Sequence, residues 1–225
     1  MAAISAFLVD LDDTLAAEHD YVLSGYRAVS AHLASGTGED ADAILARLRY
    51  EFLKFGRIGA FDRLYKHFGW TPGERAPDIK ALVTVYREHR PSLAFYDRAE
   101  AALAQLRAHA PVAIVTDGAE AMQARKAMAL GLYEKTDAVI LCDSLGMAKP
   151  DPAGYHAALE ALGADASAAL VIGDDPFHDL EAARRLGARA IRVRTGRLAS
   201  LGTPAPWAGV EEYPSFADAV QWFFH

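Results

Sequence analysis

The stretch from Ala6 to Leu15 restricts the folds open to this chain more than any other part of it. Four strand-forming apolar residues are followed by three aspartates within four positions, among them Asp10 and Asp12. The pattern predicts a buried strand that ends at a charged opening. Side chains two positions apart on an extended chain point the same way, roughly 6.6 Å apart, so both carboxylates are expected to enter one cavity. Their mutual repulsion calls for a cation or a proton. An Asp-rich turn without a chemical role is the alternative.

The composition is that of an ordinary globular protein with no feature of nucleic-acid binding. With 225 residues, of which 52% are hydrophobic and 24% charged, the chain can bury the core of one medium-sized domain, or of one domain with an insertion. The net charge is −7, and no basic stretch is present to neutralise nucleic-acid phosphates. A small anionic ligand remains compatible with this charge, because a metal ion and one lysine can reverse the local potential.

The N-terminus and the cysteine content indicate the compartment. The sequence has no signal-peptide pattern and no run that approaches 18 apolar residues, so we expect a cytoplasmic protein without a membrane partner. The single cysteine, Cys142, cannot form an internal disulfide, and its apolar setting favours a buried structural thiol. No sequence pattern fixes an oligomeric state.

Two parts of the chain differ in their periodicity. Between residues 18 and 90, apolar residues recur every three or four positions, which predicts helices over 21–33, 42–55, 60–68 and 79–87. From residue 91 onward short strands alternate with helices, and the predicted strands are 112–116, 138–141, 169–172 and 190–193. This alternation predicts an α/β fold, a doubly wound, Rossmann-like parallel sheet, with a closing helix over 215–224. The predicted core domain comprises residues 1–16 and 91–225, and the predicted inserted helical domain comprises residues 17–90.

Polar residues follow four of the predicted strands. In an open parallel sheet, ligands bind beyond the carboxyl ends of the strands, so the fold class predicts that these groups meet in space although they are far apart in sequence. The four groups are Asp10-Leu11-Asp12-Asp13-Thr14, Thr116-Asp117-Gly118, Lys149-Pro150 and Gly173-Asp174-Asp175 with Asp179.

In this order, the four groups resemble the motifs of the haloacid dehalogenase-like (HAD-like) hydrolase superfamily. The helical insertion between the first motif and the second strand is similar to the helical C1-type cap of the phosphatase branch of that superfamily. The resemblance extends over almost the whole chain, and it implies an enzyme, a phosphoric monoester hydrolase with a capped α/β core.

The resemblance implies that Asp10 is a nucleophile. A carboxylate can attack phosphorus and form an aspartyl-phosphate, which divides hydrolysis into two easier displacements. Asp12 would protonate the leaving oxygen and later deprotonate the attacking water, as a general acid/base. A turn aspartate is the alternative for Asp12.

Magnesium is the implied cofactor, because the clustered ligands are hard oxygens and no soft ligand accompanies them. By the resemblance, Mg²⁺ would be bound by the carboxylates of Asp10 and Asp174 and by the main-chain carbonyl of Asp12. Asp175 and Asp179 would orient the lysine of the third motif or metal-bound waters. Either of them could serve instead as a helix N-cap.

Three further residues are expected to bind the substrate phosphate. Lys149 would neutralise the nucleophile and the transferring phosphoryl group, with a solvent-exposed lysine as the alternative. The hydroxyl of Thr116 would bond a phosphate oxygen, helped by N–H groups at the following turn. Asp117 stands where the family more commonly has asparagine, and its ionised carboxylate would repel a phosphate. Its main-chain N–H is therefore the expected contributor, next to Gly118, which lets the backbone approach the ligand.

Arg57 is a candidate substrate-binding residue that lies outside these motifs. It lies on a glycine-flanked loop of the insertion and could contact an anionic end of the substrate, although a plain surface arginine is the alternative. His19, His67 and His178 do not have the spacing of zinc ligands.

The favoured function is a magnesium-dependent phosphatase that acts on a small-molecule phosphate ester. A phosphomutase would share the aspartyl-phosphate chemistry and stays open. A dehalogenase needs neither magnesium nor the second acid, so Asp12 and Asp174 argue against it. A noncatalytic binding protein of this fold would be expected to lack the nucleophile or the metal carboxylate, and this chain has both.

Overall fold

The computed structural model describes residues 4–224, and these group into two compact units. One unit comprises the described residues up to Glu18 together with those from Leu93 onward, and the other is His19–Ser92. The function of the second unit as a cap domain stays a prediction.

The first unit is built on a six-stranded parallel sheet. Its strand order is β3-β2-β1-β4-β5-β6, in which the first strand of the chain lies in the middle. The strands are β1 (Ala6–Val9), β2 (Val112–Thr116), β3 (Ala138–Leu141), β4 (Ala169–Gly173), β5 (Arg189–Val193) and β6 (Glu211–Tyr213). The predicted Rossmann-like α/β fold class is confirmed.

Helices cover both faces of this sheet, which is why its central strands are continuous apolar runs. Along β1, Phe7 and Val9 pack into one buried cluster and Leu8 packs into another, as the alternation of side chains along a strand requires. The helices of this unit are α5 (Ala99–His109), α6 (Glu120–Leu130), α7 (Leu132–Lys135), α8 (Ala153–Leu162), α9 (Glu181–Leu186) and α10 (Phe216–Phe223).

The second unit is helical. Its four helices are α1 (Glu18–Thr37, whose first residue belongs to the first unit), α2 (Ala41–Phe55), α3 (Ala60–Phe68) and α4 (Ile79–Glu88). Their apolar faces form one core that contains Tyr26, Leu48 and Leu64. Glu51 is fully buried beside that core, where it pairs with Arg47 and Arg63.

The structure differs from the sequence pattern in several places. The pattern predicts a helix over 179–186, but a π-helical turn, Pro176–Leu180, comes first and α9 itself begins at Glu181. Strand β6 was not predicted, because its sequence of two glutamates and a tyrosine contains no apolar run. The prolines and glycines over 202–209 make this the weakest stretch for regular structure, yet it contains the short 3-10 helix Ala205–Trp207. Within residues 4–224, no helix is both long and apolar enough to cross a membrane.

Candidate active site

The central strands bring three of the predicted motifs to one edge of the sheet. Strand β1 pairs in parallel with both β2 and β4. Asp10 follows β1, Thr116 ends β2 and Asp174 follows β4. The backbone N–H of Asp10 also donates to the carbonyl of Ile172 at 2.9 Å, which extends the β1–β4 pairing to the site itself. Because parallel strands end on the same side, the sheet places these three residues together.

Lys149 joins the first and fourth motifs through its ammonium group. Its Nζ lies 2.6 Å from Oδ1 of Asp10 and 2.7 Å from Oδ1 of Asp179, and it also donates to the carbonyl of Val115 at 3.2 Å. The residue is 6% exposed, so the alternative of a solvent lysine is wrong. Burial disfavours its charged form, but the carboxylates of Asp10 and Asp179 outweigh burial and raise the pKa of Lys149 well above its usual value.

Asp179 is held by three donors and in turn fixes Lys149. Its Oδ1 accepts from Lys149 and, at 3.1 Å, from the hydroxyl of Tyr155, while its Oδ2 accepts from the backbone N–H of Asp175 at 3.1 Å. A Cβ atom at Gly173 would lie 2.4 Å from Cγ of Asp179, so only glycine fits at the end of β4. These contacts hold Asp179 against Lys149, and its role in orienting that lysine stays a prediction.

The two carboxylates that pair with this lysine belong to a cluster of three buried carboxylates. Oxygen atoms of Asp10, Asp174 and Asp179 lie within 4.8 Å of one another. Burial is the main cause that raises the pKa of Asp10 to about 8, against the lowering effect of Lys149. Burial, followed by the negative charge of Asp10, raises the pKa of Asp174 to about 9. The three carboxylates and one ammonium leave an excess of two negative charges, which protons or a divalent cation must balance.

The donor set fits Mg²⁺. Asp174 is 5% exposed, and an oxygen of its carboxylate lies within 4.8 Å of oxygens of Asp10 and Asp179. Ionised carboxylates that lie this close together in a buried position repel one another, and a hard cation would compensate for their charge. Asp10 offers a second carboxylate, whose Oδ1 already accepts from Lys149. Asp179 is the weaker candidate ligand, because both of its oxygens accept hydrogen bonds.

The side chains of Thr116 and Asp117 differ in their hydrogen bonding. The Oγ1 atom of Thr116 is buried and has no hydrogen-bond partner in the described part of the chain, as expected of a hydroxyl that binds a ligand. The carboxylate of Asp117 instead accepts from the backbone N–H of Lys149, at 3.0 Å to Oδ2 and 3.2 Å to Oδ1. Its side chain therefore orders the third motif, which leaves the main-chain N–H as its predicted contact with phosphate.

Asp12 lies against helix α6 through two residues that the sequence analysis missed. Its carboxylate accepts from Nζ of Lys126 at 2.7 and 2.6 Å and from Nε2 of Gln123 at 2.8 Å. The three-residue spacing of Gln123 and Lys126 places them on one helix face, but nothing in the sequence indicates a partner more than 100 positions away.

Arg192 is a third residue that the sequence did not indicate. It is fully buried, and its Nε donates to the backbone carbonyl of Asp174 at 3.1 Å. The remaining guanidinium nitrogens donate to the carbonyls of Leu198 and Leu201 and to the hydroxyl of Thr203. One side chain thus connects the Asp174 backbone to the loop after β5.

Asp175 acts as the N-cap that was its alternative role. Its carboxylate accepts from the N–H of Phe177 at 2.9 Å and also contacts His178 and Arg197. Burial would raise its pKa, but the hydrogen bonds to His178 and Phe177 outweigh burial and lower it. Arg57 is exposed in the helical unit, and its role toward a substrate stays a prediction.

Comparisons with known proteins show which family the chain matches. Residues 4–187 match the family model of haloacid dehalogenase-like hydrolases. Phosphoserine phosphatase of Thermus thermophilus is 33% identical over 141 residues, which are 62% of this chain and 55% of that protein, so the matched segment spans little more than half of this relative. Glyceraldehyde 3-phosphate phosphatase of Methanopyrus kandleri is 28% identical over 201 residues, with 86% and 85% covered.

A solved structure has the same fold. The HAD-hydrolase YfnB of Bacillus subtilis superposes with a TM-score of 0.68 at 17% identity, over 98% of both chains. At that identity, the similarity supports the fold alone.

The chain therefore belongs to the haloacid dehalogenase-like hydrolase family. Its phosphatase relatives place it in the phosphatase branch, as a phosphoric monoester hydrolase by class. The predicted family and enzyme class are confirmed.

Proposed function

We propose that this protein is a magnesium-dependent phosphatase that hydrolyses a small soluble phosphate monoester through an aspartyl-phosphate intermediate. The observation that carries the proposal is the buried group of Asp10, Asp174 and Lys149, whose excess negative charge suits a divalent cation and whose lysine suits a phosphoryl group. The relatives named after phosphoserine and glyceraldehyde 3-phosphate support a small phosphorylated metabolite as the substrate.

In the first step, a carboxylate oxygen of Asp10 attacks phosphorus, and the bond from phosphorus to the ester oxygen breaks. Asp12 gives a proton to that leaving oxygen, so the alcohol departs neutral. Lys149 and the hydroxyl of Thr116 hold the transferring phosphoryl group and offset its negative charge.

In the second step, water attacks the aspartyl-phosphate. Asp12 takes the proton of that water, and the bond between phosphorus and Asp10 breaks to release inorganic phosphate. The carboxylates of Asp10 and Asp174 and the main-chain carbonyl of Asp12 would hold Mg²⁺, which when bound neutralises charge on the phosphoryl oxygens.

A panel of metabolite phosphates, assayed for released phosphate with Mg²⁺ and with EDTA, tests the proposal. We expect release from at least one small monoester with Mg²⁺ and its loss with EDTA. Conversion of a sugar phosphate to its isomer without phosphate release would instead indicate a phosphomutase. Chloride release from a haloacid without added metal would indicate a dehalogenase.

A further inference from the structure

We propose that Lys126 and Gln123 are positioning residues for Asp12, which they hold in place for proton transfer to the leaving group. The inference rests on the proposed function, because it assigns Asp12 as the general acid/base. Three hydrogen bonds carry it. Nζ of Lys126 lies 2.7 Å from Oδ1 and 2.6 Å from Oδ2 of Asp12, and Nε2 of Gln123 lies 2.8 Å from Oδ2.

The burial of these two side chains distinguishes the contact from a surface ion pair. Lys126 is 3% exposed and Gln123 is 4% exposed, although both belong to residue types that are normally at the surface. An exposed pair would be worth little and would give poor geometric control. A buried ammonium is stable only with a partner, so Lys126 and Asp12 constrain one another.

The amide of Gln123 has only one orientation that satisfies its neighbours. Its Nε2 faces two acceptors, the carboxylate of Asp12 and the backbone carbonyl of Asp117, so the nitrogen must point toward both. Gln123 therefore connects the loop after β1 to the loop after β2, and the position of Asp12 becomes coupled to the turn that carries the phosphate-binding residues.

Both positioning residues lie on helix α6 rather than on a loop. They are three positions apart and so share one helix face, which presents their donors to the same carboxylate. A helix supports a reactive group more accurately than a loop does, and a displacement of about 1 Å can cost on the order of 10² in rate. The loop after β1, by contrast, is a tight turn with Asp13 in a left-handed conformation (φ of 59°) and a single β-bridge between Asp12 and Ala16, so it fixes the backbone while α6 holds the Asp12 side chain.

This role predicts a dependence on the leaving group. The ester oxygen of phenyl phosphate needs a proton as its bond to phosphorus breaks, because phenoxide is a poor leaving group. The oxygen of 4-nitrophenyl phosphate departs as a stable anion and hardly needs one. A displaced Asp12 should therefore slow the first substrate much more than the second, whereas a general loss of structure would slow both equally.

The experiment compares kcat/KM for phenyl phosphate and 4-nitrophenyl phosphate in the whole protein with Mg²⁺. We expect Lys126→Met to lower kcat/KM about 100-fold for phenyl phosphate and no more than about threefold for 4-nitrophenyl phosphate. Gln123→Leu, which removes one neutral donor, should change the same ratio in the same direction by about tenfold. The matched control is Lys135→Met, which removes the same charge from α7, where Lys135 pairs with Glu100 at 3.3 Å, and it should leave the ratio unchanged.

A double variant tests whether the two residues act through Asp12. Once Asp12→Asn has removed the acid, adding Lys126→Met should produce no further change in the ratio. Equal losses for both substrates, an unchanged ratio, a gain in activity or a further change in the double variant would each overturn the inference. If Lys126→Met does not fold, as judged by circular dichroism, Gln123→Leu decides on the same criteria. Absence of phosphate release by the unmodified protein, or full activity of Asp10→Asn, would instead overturn the proposed function and this inference with it.

Discussion

The backbone N–H of Lys149 donates to the carboxylate of Asp117, at 3.0 Å from Oδ2 and 3.2 Å from Oδ1. Both carboxylate oxygens thus accept from one N–H group, which suits a side chain that can only accept when ionised. This is a physical reason for aspartate at a position where asparagine is the commoner residue of the family, and it makes Asp117 a support for Lys149.

Replacement of Asp117 should therefore act through Lys149. We expect Asp117→Ala to lower kcat about tenfold, because the N–H of Lys149 loses its acceptor and the ammonium group moves. Asp117→Asn keeps one acceptor oxygen and should cost less than about threefold. Steady-state kinetics with an aryl phosphate measure both variants. A larger loss in the asparagine variant than in the alanine variant would contradict this role.

Asp10→Asn should abolish turnover of an aryl phosphate, with a loss on the order of 10³-fold or more, because the amide is not a nucleophile. The fold should be retained, as judged by circular dichroism. Asp97→Asn makes the same chemical change at a side chain that is 92% exposed, and it should leave activity unchanged. Residual activity near that of the unmodified protein would reject Asp10 as the nucleophile.

The stabilisation of the protein by Mg²⁺ should increase with pH. Burial raises the pKa of Asp10 to about 8 and that of Asp174 to about 9, and both values lie above the ordinary 3.8. Without a divalent cation, the folded state then binds more protons than the unfolded state, and stability falls as the pH rises from about 4 to about 9. A bound cation replaces those protons.

Thermal unfolding at pH 6 and pH 9, with Mg²⁺ or with EDTA, measures this effect. We expect the increase in Tm that Mg²⁺ causes to be larger at pH 9, and we expect Asp174→Asn to remove most of it. An increase that is equal at the two pH values, or larger at pH 6, would be inconsistent with proton displacement at these carboxylates.

Arg192→Met should destabilise the protein by about 3 kcal/mol, because it leaves the buried carbonyl of Asp174 and the partly buried carbonyls of Leu198 and Leu201 without their donor. Urea unfolding measures the loss. Arg194→Met is the matched control on the same strand. Its side chain is 39% exposed, so it should cost less than about 1 kcal/mol. Equal costs for the two variants would show that burial of the Arg192 guanidinium does not matter.

Cys142 should resist alkylation in the folded protein. Burial, followed by the nearby carboxylate of Asp117, raises the pKa of the Cys142 thiol to about 12, so almost no thiolate is present at pH 8. Mass spectrometry after exposure to iodoacetamide should show slow modification in buffer and rapid modification in concentrated urea. Similar rates in the two conditions would contradict a buried thiol.

Elements of the fold were predictable where a local sequence pattern corresponds directly to one strand or helix. The strands Val112–Thr116 and Ala138–Leu141 have the predicted bounds, since each is a short apolar run between polar turns. The motifs at Asp10, Lys149 and Asp174 could be placed together because strand ends in a parallel sheet share one edge.

The residues that were missed depend on long-range contacts. Lys126 is a cation within a helix, and it contacts a residue 114 positions earlier. Arg192 is a buried arginine within a strand whose other residues indicate only that the strand belongs to the hydrophobic core. Ordinary pattern rules assign charged residues to the surface, and they cannot supply the partner that makes burial favourable. The fold class was therefore predictable from periodicity. The residues that hold the reactive groups in place could be identified only from the three-dimensional structure.

The central place of β1 in the sheet also bears on synthesis. During translation β1 is made before both of its neighbours, because β2 and β4 are encoded more than 100 residues later. Such distant pairing slows folding, and until residue 172 has been made, the acidic residues that follow β1 have no complete β1–β4 pairing to hold them. The reactive centre therefore cannot assemble before β4 has been synthesised.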